Sequence, residues 1–227
     1  MTTVRLCAYN VHGFRSGVDV VAEAIAEERP DLLFVNEVGR AWRLRRFARR
    51  LGMEPVSGMR LFRKNPNAVL FRAPWRLLEK RIHHLRRHTR LLPRGVVLAR
   101  LGHAGARLWA GSVHLGLSDG ERELHAVELT DLLAGLRPPV VLGGDLNEDP
   151  GRRAATWIAG RLWDSFAHAG EGAGETFPCL DPSARIDYLF LSEGITPLKA
   201  WVGSGDRVLA ASDHRPVFAD VELATLA

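Results

Sequence analysis

Six largely apolar runs of strand length each carry, at or beside one end, a side chain that can do chemistry. That pattern restricts what this chain can fold into more than any other feature. Val4–Tyr9 closes on Asn10, Leu32–Asn36 on Glu37, Arg107–Val113 on His114 and Val140–Gly144 on Asp145. Asp187 lies inside Arg185-Ile186-Asp187-Tyr188-Leu189-Phe190, and Asp213 precedes the run Pro216–Leu223. The stretch Asp31-Leu32-Leu33-Phe34-Val35-Asn36 shows no polar alternation, as expected of a strand buried on both faces. Polar groups delivered at the ends of such strands can converge on one rim of a sheet sandwich.

The segments between these runs set the fold class. Val18, Val21, Ala22 and Ile25 at helical spacing, stopped by Pro30, predict a helix over 18–28. Leu44, Phe47 and Leu51 on one side, with arginines on the other, predict a second over 40–51. Strand patterns follow at 67–72, 76–85, 95–101 and 107–114, and then a helix over 121–136 ending before Pro138-Pro139. A strand at 140–144, a short helix near 152–162 and strands at 186–191, 198–202 and 216–223 complete the order. Many short strands without regular β-α-β alternation point to two packed sheets with helices outside, rather than a doubly wound parallel sheet. The 227 residues suit a single domain, 1–227, which can bury roughly 70–75% of its unfolded surface.

Three segments concentrate the chemistry. In Gly143-Gly144-Asp145-Leu146-Asn147 a strand delivers an aspartate and then an asparagine, which share a face in extended backbone. The carboxylate can hold a metal or orient water, and the amide can donate to a phosphate oxygen without repelling it. Taken alone, Gly-Asp-x-Asn is also a good turn. In Ser212-Asp213-His214-Arg215-Pro216 the adjacent Asp and His cannot point the same way on a strand, so each needs its own partner. A metal suits Asp213, and the substrate or a distant carboxylate suits His214; taken alone, the segment is a loop entering the last strand. Asp187 within its apolar strand is costly to bury unpaired. His214 is its natural partner, because an aspartate fixes a histidine's tautomer and raises its basicity; Arg185 is the alternative. Glu37 and Asn10 stand where caps are also common. His12 reads as a turn residue, and His83, His84 and His88 as surface.

Charge is polarised along the chain. Arg40 to Arg100 holds 18 basic residues against Glu54 and Glu79, a net +16 in a chain of net +5. Such a block can attract a polyanion, and arginine binds two phosphate oxygens at once. The plainer alternative is guanidinium on solvated faces. Cys7 and Cys179 form neither a CxxC motif nor a disulfide framework, which fits a reducing compartment. Met1-Thr2-Thr3-Val4-Arg5 lacks the apolar core of a signal peptide, and no apolar stretch reaches the roughly 18 residues of a membrane helix. A cytoplasmic protein without membrane insertion is expected.

Taken in order, Tyr-Asn10-Val-His-Gly, Asn-Glu37-Val, Ser-Val-His114-Leu, Gly-Asp145-Leu-Asn147, Arg-Ile-Asp187-Tyr and Ser-Asp213-His214-Arg-Pro resemble the endonuclease/exonuclease/phosphatase superfamily. The resemblance runs from about Val4 to Val221. It implies an α/β (α+β) four-layer sandwich of two mainly antiparallel β-sheets face to face with helices outside. It also implies a monomeric hydrolase of phosphodiesters or phosphomonoesters that uses Mg²⁺ or Mn²⁺. By the same resemblance Glu37 is the principal metal ligand, helped by Asn10 and Asp213. Asp145 orients or deprotonates the attacking water, while Asn147 and His114 bind phosphate oxygens. His214, paired with Asp187, binds phosphate or acts as acid and base, and Asn67 lines the site or serves an ordinary turn. Oxygen-rich ligation suits a hard cation. Glu175–Leu180 lacks the Trp-rich character of DNA-repair members and is closer to compact sphingomyelinase-like and DNase-like ones. The basic block makes nucleic acid the leading substrate and a nuclease the leading activity. A small phosphoester or lipid headgroup is the alternative. A catalytically silent phosphate- or nucleic-acid-binding module would have lost members of the acid and histidine set, and none is missing.

Overall fold

The computed structural model describes residues 2–59, 64–86 and 93–224. One six-stranded sheet contains β1 (Thr2–Asn10), β2 (Leu32–Asn36), β3 (Glu54–Met59), β4 (Lys64–Phe71), β11 (Ile195–Val202) and β12 (Val217–Leu223), in the order β11-β12-β1-β2-β4-β3. The other contains β5 (Arg76–His84), β6 (Gly95–His103), β7 (Ala106–His114), β8 (Val140–Asp145), β9 (Trp163–Asp164) and β10 (Asp187–Leu191), in the order β5-β6-β7-β8-β10-β9. The helices are α1 (Val18–Ala26), α2 (Ala41–Leu51), α3 (Asp119–Ala134), α4 (Arg153–Ala159), α5 (Ser165–Ala169) and α6 (Asp206–Leu209).

Each sheet is antiparallel except for one central pair, β1 beside β2 in the first and β7 beside β8 in the second. A parallel pair needs a long crossover, which α1 and α3 supply. Both sheets are therefore mixed, with antiparallel pairing predominant.

Burial explains the unalternating strands. Leu32 and Phe34 of β2 join Val4, Leu6 and Ala8 of β1 in a core that also takes in Val97, Ala99 and Val141 of the second sheet. Leu33 and Val35 point the other way, into a core with Val21 and Ile25 of α1 and Leu44 and Phe47 of α2. On the far side, Leu98, Trp109 and Leu142 pack with Leu129 of α3 and Ile158 of α4. The result is four layers, helix–sheet–sheet–helix. Each fully buried Leu or Phe stabilises it by roughly 1.5–3 kcal/mol.

Local signals set the helix ends. Ser118 accepts from the Glu121 amide and caps α3, while α2 stops at Gly52 in the left-handed region, φ 63°. The strand β3 departs from expectation, because Pro55, Ser57 and Gly58 look like turn residues. It forms because Val56 pairs with Val69 of β4 and is buried in the inter-sheet core.

Among the described residues the basic block does not make one surface. Arg46 and Arg50 of α2 pair with Asp19 of α1 outside the first sheet, whereas Arg81 and Arg100 lie on the second. Arg60, Arg63, Arg87, Arg90 and His88 fall outside the described residues. His83 is half-buried against Glu128 of α3, 2.7 Å away, rather than a free surface group. Among the described residues no helix is long and apolar enough to cross a membrane.

Candidate active site

The two parallel pairs bring the chemistry together. Asn10 and Asn36 are register partners at the ends of β1 and β2, as are His114 and Asp145 at the ends of β7 and β8. Asp187, the first residue of the antiparallel β10, sits opposite Asp145. β12 runs antiparallel to β1, so Asp213 and His214, just before it, reach the same rim. Residues from both sheets thus meet at one end of the sandwich. The rim is sunk rather than open: Asp145 and Asp187 are each 1% exposed and His214 is 6%.

Asp145 is held from several sides. Its Oδ1 accepts the Asn147 backbone N–H at 2.8 Å, and its own N–H donates to Asn36 Oδ1 at 3.0 Å. Its Oδ2 takes Asn10 Nδ2 at 3.0 Å and lies 3.2 Å from His114 Nε2. The segment after Asp145 is not extended. Asn147 has φ 53°, and its bond back to Asp145 makes a tight turn. The turn still aims Asn147 Nδ2 at His114 Nε2, 3.0 Å away. Glu37 likewise sits in the left-handed region, at φ 57°. Such conformations are unfavourable for non-glycine residues and collect where a site demands them.

His214 is paired as the sequence suggested. Its Nδ1 lies 2.8 Å from Asp187 Oδ2, which also accepts from Thr176 Oγ1 at 2.7 Å. Arg185 bonds Asp164 instead. Phe177 packs on the imidazole at 4.8 Å between ring centroids. Burial pulls the His214 pKa down, but Asp187 first, then Asp145 and Asp213, outweigh it and hold the ring up at about 10. His214 is therefore cationic at neutral pH. Its neighbour Asp213 lies 3.3 Å from His12 Nδ1 through Oδ1, so His12 belongs to the site's border as well as to a turn.

His114 has the opposite character. Burial chiefly, with the positive charges of Arg94 and His214, pushes it down to about 3, against the pull of Asp145. It is neutral, and Arg94 Nη1 lies 2.8 Å from its ring nitrogens. Arg94 is 8% exposed, and no carboxylate among the described residues lies within ion-pair distance. Sequence reading passed over this arginine because it was one cation among 18 in the block.

Asn36 was also missed, since it reads as the last residue of an apolar strand. It is fully buried and its Nδ2 donates to Val113 O at 2.8 Å and Asn67 Oδ1 at 3.1 Å, tying the sheets together beneath Asp145. Asn67 lies in a strand and not in a turn. It is 0% exposed within β4 and its Nδ2 donates to Gly95 O at 2.6 Å, beneath the rim.

Asn10 and Glu37 complete the rim. Asn10 Nδ2 lies 3.5 Å from Glu37 Oε1, while Asn10 Oδ1 accepts the His12 N–H at 3.1 Å. Asp145, Asp187 and His214 also bring ligand-type atoms within 4.8 Å of one another.

Solved structures share this architecture. The endonuclease/exonuclease/phosphatase from Bacteroides vulgatus aligns with TM-score 0.83 and 17% identity over 99% of this chain and 100% of its own. The mannosyl-6-phosphatase of Bacteroides thetaiotaomicron VPI-5482 gives 0.81 and 18% over 97% and 100%. The human Nocturnin catalytic domain gives 0.76 and 16% over 98% and 94%. At these identities the likeness speaks for the fold. No curated protein matches the sequence significantly. A sequence model described as the Endonuclease/Exonuclease/phosphatase family matches residues 7–214. By that match, over most of its length, the chain belongs to the endonuclease/exonuclease/phosphatase family.

Proposed function

We propose that this phosphoesterase hydrolyses its ester by in-line attack of water, with Mg²⁺ or Mn²⁺ held by Glu37, Asp145 and Asp213. One observation carries the reading. The carboxylates of Glu37 and Asp145 converge on a single neutral amide, Asn10 Nδ2, while Asp187 stands opposite Asp145 in register. Carboxylates gathered in a buried site favour a counter-cation, and oxygen donors suit a hard one. Asp187 Oδ2 accepts two hydrogen bonds and orients His214, while its buried Oδ1 has no hydrogen-bond partner, which leaves that oxygen open to the same cation. Asn10 would offer its oxygen only after a rotation of the amide, because that oxygen holds His12 N–H.

When bound, the cation supplies Lewis-acid polarisation of a phosphoryl oxygen. The chain does the rest. Asp145, fixed by Asn36 and Asn147, directs the water and accepts its proton. Cationic His214 donates from Nε2 to a phosphoryl or leaving oxygen. Arg94 and Asn147 present N–H donors where negative charge develops. Neutral His114 steadies Asp145 and Arg94.

The nucleic-acid reading rests on the basic block, whose described arginines lie partly on two outer faces, with Arg94 at the site. The cleft itself gathers donors for one phosphate, which favours a small or terminal phosphoester. Nucleic acid stays the second reading because Arg94, a cation of that block at the site, suits a phosphodiester equally well.

The experiment is a hydrolysis panel of plasmid, single-stranded DNA, RNA, a nitrophenyl phosphodiester, a phosphomonoester and sphingomyelin, each with Mg²⁺, Mn²⁺ or EDTA. Turnover should require the cation and fall by roughly 10³-fold or more in Asp145→Asn. Glu37→Ala should raise the Mg²⁺ concentration needed for half-activity. Equal turnover in EDTA, or none on any ester with either cation, refutes the proposal.

A further inference from the structure

A second concentration of positive charge lies on the outer face of the second sheet, remote from the rim. Register puts it there. Arg100 of β6 is opposite Trp109 of β7, Arg107 is two residues from Trp109, and Arg81 of β5 is opposite Leu98, two residues from Arg100. Side chains two apart share a face. Leu98 and Trp109 pack with α3, so that face is the outer one. The chain leaving α3, Gly135 to Pro138, closes the fourth side with Arg137. The resulting pocket has a volume of about 400 Å³. From Trp109 to His114 is five residues along β7, roughly 17 Å at about 3.4 Å each, so this pocket is separate from the catalytic cleft.

Its charge is largely unbalanced. Glu79 holds Arg81 at 2.7 Å and lies 4.0 Å from Arg100. Arg107 and Arg137 have no carboxylate partner among the described residues. One carboxylate therefore faces four guanidiniums, a local excess of three positive charges. Part of the arrangement is rigid: the Arg81 guanidinium lies 4.7 Å over the Trp109 ring, and Trp109 is itself buried. Stacked, planar guanidiniums are pre-organised for paired hydrogen bonds to phosphate oxygens.

We propose that this pocket binds a small anion bearing two or more phosphates, of the pyrophosphate or nucleotide-polyphosphate class. Its volume falls in the range of small-molecule sites. Among the described residues a carboxylate lies between this pocket and the rim, which favours a compact anion over a nucleic-acid track. On β5, two residues beyond Arg81, His83 is engaged by Glu128 of α3, whose carboxylate interrupts the path. The proposal does not depend on which ester the catalytic site cleaves.

The test is calorimetric titration of the whole protein with sodium pyrophosphate in EDTA at low salt, without turnover. Wild type should bind one pyrophosphate saturably. The double variant Arg107→Gln, Arg137→Gln, both exposed side chains, should bind at least tenfold more weakly, and Arg94→Gln should bind as wild type does. Pyrophosphate should raise the unfolding temperature of wild type and not that of the double variant. Three results overturn the proposal: no saturable binding by wild type, unchanged affinity in the double variant, or loss of binding in Arg94→Gln alone. A single-stranded oligonucleotide that binds through Arg107 and Arg137 while pyrophosphate does not also overturns it, in favour of a polymer track.

Discussion

Replacing Asp187 by Asn removes the carboxylate that keeps His214 protonated, and the consequence can be worked out across pH. The His214 pKa stands at about 10 in the folded protein against an ordinary 6.5. The folded value is the raised one, so the stabilisation is fully present below pH 6.5 and is lost as pH rises through 10. At about 1.36 kcal/mol per pH unit, proton linkage gives about 5 kcal/mol at pH 5, about 4 at pH 7, between 1 and 2 at pH 9, and about zero by pH 11. Those values are ceilings, because Asp145 and Asp213 still attract the proton in the variant. A loss of about 2 kcal/mol at pH 7 is expected, or roughly 4–8 °C in Tm. Urea unfolding of both proteins at pH 6, 7.5, 9 and 10.5, in EDTA, measures it. The stability gap should narrow steadily with rising pH. A gap that is constant, or that widens toward pH 10.5, refutes the claim that Asp187 acts by holding a cationic His214.

Three further outcomes are expected. Gly144→Ala should abolish the native fold, at a cost above roughly 4 kcal/mol, because φ is +145° and the new Cβ would lie 1.9 Å from Val113 O; circular dichroism with a wild-type melt would contradict this. Asn36→Leu leaves the buried Asp145 N–H and Val113 carbonyl without their partner, so stability should drop by roughly 2–4 kcal/mol. Turnover should fall with it, and a variant as active and stable as wild type removes Asn36 from the support of Asp145. His114, pushed down to about 3, contributes stability above pH 6.5 that is lost as pH falls toward 3. His114→Asn should flatten the acid side of the Tm–pH curve, and an unchanged acid limb would show that His114 is not the group responsible.

The central strands were the most legible part of the chain. Val4–Tyr9 and Leu32–Asn36 are apolar on both faces because a helix layer covers one side and the second sheet the other, and that double burial leaves a mark in sequence. Strand β3 left none. Its Pro55, Ser57 and Gly58 have no strand preference, and only pairing with β4 makes them extended. At the site, the side chains that close apolar runs stood out, and the pairing of Asp187 with His214 followed from the cost of burying an unpaired carboxylate. What stayed hidden works through backbone or through another residue. Asn36 supports Asp145 from a position that looks like ordinary strand, and Thr176 supports Asp187 from a loop eleven residues earlier. Arg94 is distinguished from its neighbours by burial alone, which composition does not reveal.

The place of β1 in its sheet has a consequence for timing. It lies between β2 and β12, with Thr2 opposite Leu223. During synthesis β1 precedes β12 by more than two hundred residues, so the edge that β12 covers stays open over that span. An exposed edge of that kind invites pairing with other chains. The segment that finally covers it arrives together with His214, three residues ahead of β12. Closing the sheet and bringing His214 to the rim therefore depend on the same late segment of the chain.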